Sequence, residues 1–147
     1  MDVSRLNPVD LALFARALWL AKAAQRVRTV PIPAVVADLV QRSGGLAHHP
    51  VDRLSRAAVR ATGRWAAWFG GSDTCLIRAL VLGSLLADRG DVVLNVGFRE
   101  GEGSEPGLAG HAWLTVGGEP TGSDADRAES RFTRVLEVPY GGGPAGE

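Results

Sequence analysis

The single cysteine of this sequence lies where a nucleophile could be activated. Cys75 follows the polar run 72–74, in which each residue is a favourable helix N-cap, so a helix is predicted to begin at Cys75. A thiol attacks as the thiolate, and the unpaired N–H groups at a helix start favour negative charge. The same N–H groups could hold the oxyanion of a tetrahedral intermediate. These properties make Cys75 a candidate nucleophile for acyl transfer, against the alternative of a small, buried and inert thiol.

His111 is the candidate base. It is predicted to open a strand over 111–116 in a sheet that packs against the cysteine helix, which would bring the imidazole within reach of the thiol. An acidic residue should orient the imidazole, and Asp124 is the preferred candidate, followed by Asp126 and then Glu119. The alternative for the polar stretch 123–130 is a solvated loop.

Other polar residues and a glycine-rich segment are weaker candidates for a catalytic or binding role. Asn95 could assist an oxyanion, but its place in a predicted strand favours a structural hydrogen bond. His48 and His49 fit a solvated turn, and no metal site is predicted. The glycine-rich segment 99–110 could border a cleft and move when substrate binds. It lacks the Lys-Ser/Thr of a phosphate-binding loop, so no nucleotide and no other cofactor is predicted.

Helices should occupy the first half of the chain. Asn7-Pro8 is a favourable helix start, and apolar spacing predicts a first helix over roughly 9–27. A second amphipathic segment over 35–40 and a third helix from Pro50 follow, the third ended by Gly70-Gly71. Its aromatic residues Trp65, Trp68 and Phe69 are expected in the core, with a docking surface as the alternative.

Strands should dominate the second half. The cysteine helix is apolar almost all round to Ala87 and ends at Gly90, as expected of a buried central helix. Strands are predicted over 92–96, 111–116 and 132–138, with a flexible tail over 141–147. Helices followed by strands indicate an α+β fold, which we interpret as a single domain over 1–147 with a helical N-terminal region over 1–70 and a catalytic core over 71–140.

Composition excludes several classes of protein. Sixteen basic residues balance sixteen acidic ones among 147, so nucleic acid is not an expected partner. The apolar run 11–24 carries Arg16 and Lys22 and is too short to span a bilayer. No secretory signal is apparent at the N-terminus, which predicts a cytoplasmic protein. A lone cysteine cannot form an internal disulfide.

The order of these motifs resembles a known family. Cys75 with the following run 76–80, a helix to Arg89-Gly90, a strand ending at Val96-Gly97, and then His111-Ala112-Trp113 are similar to the transglutaminase-like core of lasso-peptide leader peptidases. The resemblance covers roughly 71–138 and implies a papain-like or transglutaminase-like fold with a Cys-His-Asp triad.

The resemblance also implies an activity and partners. The protein would be a cysteine protease that cleaves the leader from a ribosomally made lasso precursor through an acyl-enzyme on Cys75. A separate leader-recognition protein would deliver the precursor, and the macrolactam-forming cyclase is a further implied partner. Two alternatives remain open at this stage. One is a transglutaminase or amine acyltransferase using the same triad, and the other is a non-catalytic binding protein on the same fold.

Overall fold

The computed structural model describes residues 7–42, 48–71, 74–100, 108–122 and 125–140. These residues form five α-helices and one four-stranded antiparallel sheet. In chain order the elements are α1 (Pro8–Ala24), α2 (Ile32–Arg42), α3 (Val51–Phe69), α4 (Cys75–Leu86), β1 (Val92–Glu100), β2 (Leu108–Val116), β3 (Glu119–Thr121), α5 (Ala125–Arg131) and β4 (Thr133–Pro139). The predicted α+β fold is confirmed.

The helices of the first half begin and end close to the predicted positions. The side chain of Asn7 accepts a hydrogen bond of 2.8 Å from the backbone N–H of Asp10, which caps α1. The helix ends at Ala24 and continues as a 3₁₀ turn to Arg28. At the end of α3, Gly70 adopts the left-handed conformation at φ 74°, a common way to terminate a helix.

Helix α4 is the centre of the fold. Thr74 caps its first turn, since its hydroxyl accepts a hydrogen bond of 3.2 Å from the N–H of Ile77. Of the three N-caps that the sequence offered before Cys75, the structure uses this one. Most of the helix is buried between α1 and α3 on one side and the sheet on the other, as the apolar sequence predicted.

Tyr140 connects α4 to the end of the sheet. Its hydroxyl donates a hydrogen bond of 3.0 Å to the carbonyl of Leu80, and its ring lies against Gly83, where a Cβ atom would overlap it. The Tyr140 N–H is bonded to the carbonyl of Val92, which continues the β4 pairing by one residue. Gly83 is therefore needed for the close approach of helix and ring.

The sheet has the order β3-β2-β1-β4 and two different faces. Leu94, Ala112 and Leu114 point to the face that packs on α4 and joins the main hydrophobic core. Trp113 points to the opposite face, where it forms a small cluster with Ala128 of α5 and Phe132. We call these the core face and the α5 face.

Four details differ from the sequence predictions. Strand β1 continues to Glu100, four residues beyond its predicted end and into the segment predicted as a glycine-rich loop. Strand β2 begins at Leu108, so His111 is its fourth residue and does not open it. The segment predicted as a solvated loop contains α5, a short helix held because Ala128 is buried against the sheet. Strand β3 was not predicted, since three residues are too few for a visible alternation. Within the described ranges, none of the helices has both the length and the apolar character needed to cross a membrane.

Candidate functional site

Cys75 and His111 line the same pocket. Its walls come from α3, α4, β2 and the end of β3, and its volume is about 80 Å³. Besides these two residues, the lining is Ser55, Ala58, Val59, Arg78, Ala79, Leu82, Ala112, Trp113, Leu114, Thr121 and Gly122. Both Cys75 and His111 are half-buried. The structure thus brings together the two residues that the sequence singled out as nucleophile and base.

The two residues reach this pocket from different sides of the sheet. Cys75 is the first residue of α4, which packs on the core face, whereas His111 lies in register with Trp113 on the α5 face. The pocket that both line also includes Thr121 and Gly122, next to the outer edge of β2. Strand β3 pairs only with 114–116, so it does not cover β2 at His111.

Aromatic rings hold the imidazole of His111. The Phe132 ring stacks on it with a centroid distance of 5.1 Å and an interplanar angle of 25°. Trp113, two residues along the strand, lies nearly parallel at 6.4 Å and 17°. The guanidinium of Arg99 lies 5.4 Å from the centroid of the Phe132 ring. Stacked rings restrict the rotation of the imidazole, so Phe132 is positioned to fix its plane.

Sequence reasoning missed Phe132. Its place in the sequence predicts only the start of a strand, because its partner His111 is 21 positions away and the contact depends on how α5 packs over β2. The signal available in the sequence was a lone aromatic residue at the end of the polar stretch, which fits burial against a partner.

A polar network supports the same face. The indole N–H of Trp113 donates a hydrogen bond to a carboxylate oxygen of Glu129 in α5. Arg134 of β4 contacts both oxygens of that carboxylate, at 2.6 and 2.7 Å. Both contacts come from a single nitrogen, Nη2 of Arg134, and together with the Trp113 hydrogen bond they connect α5 to both β2 and β4.

The acidic candidates for orienting His111 are placed unequally. Asp124, the preferred one, lies outside the described residues. Asp126 belongs to α5, which packs against β2. Glu119 is exposed and pairs with Val116 at the hairpin end of β2, five positions from His111. At about 3.4 Å per residue this corresponds to about 17 Å along the strand, so Glu119 is too far away to orient the imidazole.

Backbone N–H groups are candidate oxyanion donors at this site. Because the first N–H groups of a helix have no carbonyl partner within it, those of Cys75 and Leu76 are available at the pocket end of α4. Asn95 is fully buried in β1, and its amide nitrogen lies 3.3 Å from the hydroxyl of Thr115 and 3.4 Å from the carbonyl of Trp113. The structural role predicted for Asn95 fits these contacts.

The aromatic residues near the end of α3 are only partly in the core. Trp65 packs against the core and against Gly71, where a Cβ atom would lie 2.9 Å from the indole ring. Trp68 and Phe69 are 52% and 62% exposed. The core position expected for these two residues is therefore wrong, because both project from the last turn of α3 beyond the packed part of the helix.

The described residues show no metal centre. The centroids of the His48 and His49 rings lie 4.1 Å apart, with the rings tilted by 35°, in the turn before α3. In the part of the chain that the structure describes, no three His, Cys, Asp or Glu side chains group closely enough to hold a metal ion.

Comparison with known proteins gives one match. A family model described as the transglutaminase-like superfamily matches residues 17–137, which is most of the chain. Neither the curated proteins nor the solved structures gave a match. The family match spans α1 to β4 and includes both Cys75 and His111.

Proposed function

Because this chain belongs to the transglutaminase-like superfamily, we propose that it is a cysteine peptidase that removes the leader from a lasso-peptide precursor. Cys75 is the nucleophile and His111 the general base in this proposal. The single observation that carries it is the pocket that both residues line, at the N-terminus of a buried helix. The motif order of the sequence, with Cys75 followed by His111-Ala112-Trp113, supports the choice of precursor.

The first half-reaction forms an acyl-enzyme. The Cys75 sulfur attacks the carbonyl carbon at the leader–core junction, and the N–H groups of Cys75 and Leu76 stabilise the resulting oxyanion. His111 takes the thiol proton and passes it to the leaving nitrogen as the C–N bond breaks. The core departs with a new amino terminus, and the leader remains attached to Cys75 as a thioester.

The second half-reaction uses water. His111 removes a proton from a water molecule, whose oxygen attacks the thioester carbon, and the C–S bond then breaks. The leader leaves with a new carboxylate, and the Cys75 thiolate is restored. Positioned acid–base catalysis of this kind typically contributes about 10²–10⁴ to the rate.

An acidic side chain completes the triad in this proposal. We assign this role first to Asp124 and second to Asp126, the order that the sequence predicts. Asp126 belongs to α5, which packs against the strand that carries His111. A carboxylate there would accept the other imidazole N–H and stabilise the imidazolium that forms in each half-reaction.

The proposal includes a separate leader-recognition protein, with the cyclase acting on the product. The exposed Trp68 and Phe69 are our candidate docking residues for the recognition protein, since large aromatic side chains are enriched at protein interfaces. They lie seven and six positions before Cys75 in the sequence, so a partner bound there would hold the precursor near the pocket. We infer that the chain acts as a single domain in the cytoplasm, where ribosomal precursors are made.

Mass spectrometry of a lasso precursor from the same gene neighbourhood tests the function. The precursor is incubated with its recognition protein and with either the wild-type chain or its Cys75→Ala variant. We expect cleavage at the leader–core junction by the wild-type protein only. Ser84→Ala is a matched control, because it removes a similar atom from the same helix on a side that does not line the pocket.

Each other outcome has a defined meaning. No cleavage by the wild-type protein rejects the peptidase, and equal cleavage by the Cys75→Ala variant removes Cys75 from the mechanism. Adding a primary amine separates the peptidase from an amine acyltransferase, since a leader–amide product that outweighs the free acid would favour the acyltransferase. A thiol that iodoacetamide alkylates only after unfolding would favour the non-catalytic binding protein.

A further inference from the structure

The outer edge of β2 beside the pocket is open among the described residues. In the order β3-β2-β1-β4, β2 has β1 on one side and the three-residue β3 on the other. Strand β3 pairs with 114–116, whereas β1 pairs with the whole length of β2. The part of β2 from Leu108 to Trp113 therefore has one paired edge and one edge that β3 does not reach.

The register shows which backbone groups face this open edge. The two-residue turn Gly117-Gly118 joins Val116 to Glu119, so these two residues exchange backbone hydrogen bonds, as the ends of such a hairpin do. Alternate residues of an antiparallel strand direct their N–H and C=O groups to the same side. The groups of Ala112 and Gly110 thus point away from β1, as those of Val116 do.

Hydrogen bonds at the same end of the sheet support this parity. The carbonyl of Asp91 accepts from Gly117 next to β2, and the carbonyl of Val92 accepts from Tyr140 next to β4. Odd-numbered residues of β1 therefore face β2. Their odd-numbered partners in β2, including His111 and Trp113, use their backbone groups for β1.

Gly122 is what turns the chain away from this edge. It follows β3 with φ at 100°, a conformation that glycine adopts far more readily than other residues. A Cβ atom there would also lie 3.1 Å from the Leu82 side chain. Strand pairing ends at Thr121, and Gly122 itself lines the pocket with Cys75 and His111.

We propose that the substrate binds as an extended strand along this edge, exchanging backbone hydrogen bonds with Ala112 and Gly110, so that its scissile carbonyl lies beside Cys75. The inference rests on the proposed function and adds to it how the precursor is held. The occupant is the main chain of the precursor at its junction, because Ala112, Trp113 and Leu114 line the pocket that contains the nucleophile.

This binding mode separates affinity from sequence selectivity. Main-chain hydrogen bonds are available from any peptide, whereas side chains of an added strand alternate between its two sides. Every second side chain would then face the pocket wall formed by Val59 and Leu82, which is apolar. The selectivity of the site for the junction would come from those alternate positions alone.

A scan with single N-methyl amides tests the proposal. Full-length precursors are synthesised with one methylated amide at each successive position around the junction, and kcat/KM is measured with the recognition protein present. Where the substrate N–H pairs with β2, methylation removes a donor and blocks strand spacing, so kcat/KM should fall about tenfold or more. The intervening positions are the matched control and should change kcat/KM less than about threefold.

The result that overturns the proposal is a loss of kcat/KM that does not alternate with position. If even the unmodified precursor is not cleaved, the proposed function fails, and a second measurement still decides the binding mode. Amide hydrogen exchange of the Cys75→Ala variant should slow at Ala112 and Gly110 when the precursor is added. Leu114, which already pairs with Thr121, is the internal control, and unchanged exchange at Ala112 and Gly110 rejects the strand.

Discussion

The two faces of the sheet differ in the kinds of side chain that cover them. The core face is apolar and continuous with the helices, with Leu94 and Leu114 almost fully buried against α4. The α5 face carries a small aromatic cluster at Trp113 and Phe132, tied down by the ion pair between Glu129 and Arg134. A large apolar contact sets the stability of the domain, whereas a small polar and aromatic one can fix the position of a single reactive ring.

This comparison separates stability from chemistry. Substitutions on the core face should lower the free energy of unfolding, with loss of activity only as the protein unfolds. Substitutions around His111 on the α5 face should lower the rate of catalysis more than they lower stability. Three experiments, from the largest expected effect to the smallest, test whether the two faces can be separated in this way.

The largest effect is expected from Gly83→Ala on the core side. The added methyl group would overlap the ring of Tyr140, which is almost fully buried and is hydrogen-bonded to α4 through its hydroxyl. Overpacking of this kind typically costs about 1–3 kcal/mol, more than the roughly 1 kcal/mol that alanine gains over glycine in a helix. Because the added carbon would overlap several atoms of the Tyr140 side chain, the cost should lie near the upper end of that range, and urea unfolding should show a net loss of about 2 kcal/mol in the free energy of unfolding.

Ser84→Ala is the control for this variant, because Ser84 is the next residue of the same buried helix. The control removes one side-chain atom, whereas Gly83→Ala adds one. It loses only a hydroxyl bonded to the carbonyl of Leu80 and should change stability by less than about 1 kcal/mol. If Gly83→Ala were as stable as Ser84→Ala, the close packing of Tyr140 on α4 would be wrong.

An intermediate effect is expected at alkaline pH. Burial raises the pKa of the Tyr140 hydroxyl above its usual value of about 10, because the phenolate would lose its hydration. A raised folded-state pKa gives stability that is complete below pH 10 and is lost as the pH rises towards the folded-state pKa. The free energy of unfolding should fall by up to about 1.4 kcal/mol per pH unit above pH 10.

Tyr140 is the only tyrosine of the chain, so tyrosinate absorbance reports on it alone. Absorbance should appear together with unfolding rather than at pH 10, and the Tyr140→Phe variant should lack this part of the pH dependence. Absorbance that appears near pH 10 in protein that is still folded would show that the hydroxyl is not buried against Leu80.

The smallest effect on stability is expected from Phe132→Leu on the α5 face. Leucine keeps the apolar contact with Trp113 but removes the ring that stacks on His111. The free energy of unfolding should fall by about 1 kcal/mol. The kcat of the proposed leader cleavage should fall about tenfold, because an imidazole that rotates more freely is less often aligned with the thiol.

Phe132→Tyr is the matched control, since it keeps the stacked ring, and it should retain most of the activity. The rate of Cys75 alkylation by iodoacetamide, followed across pH, gives a readout that does not need the precursor. A Phe132→Leu variant with normal kcat and an unchanged alkylation profile would mean that the stack is only structural.

Local sequence signals determined much of this architecture. The Asn7-Pro8 start of α1, the cap before Cys75, the apolar circumference of α4 and the α+β order follow from short-range rules of capping and hydrophobic spacing. For the same reason Cys75 could be placed in advance at the start of a helix and His111 on a strand, while their catalytic roles stay a prediction.

Only the tertiary structure decided what surrounds these two residues. The stack of Phe132 on His111, the turn of the chain at Gly122 and the exposure of Trp68 depend on contacts between segments or on where packing stops. The helix α5 is seven residues long and polar, and it is held by one buried alanine and by Glu129, so its own sequence predicted a loop. A short helix gains too little free energy from its own hydrogen bonds to form in isolation. Its structure is therefore set by the surface on which it packs.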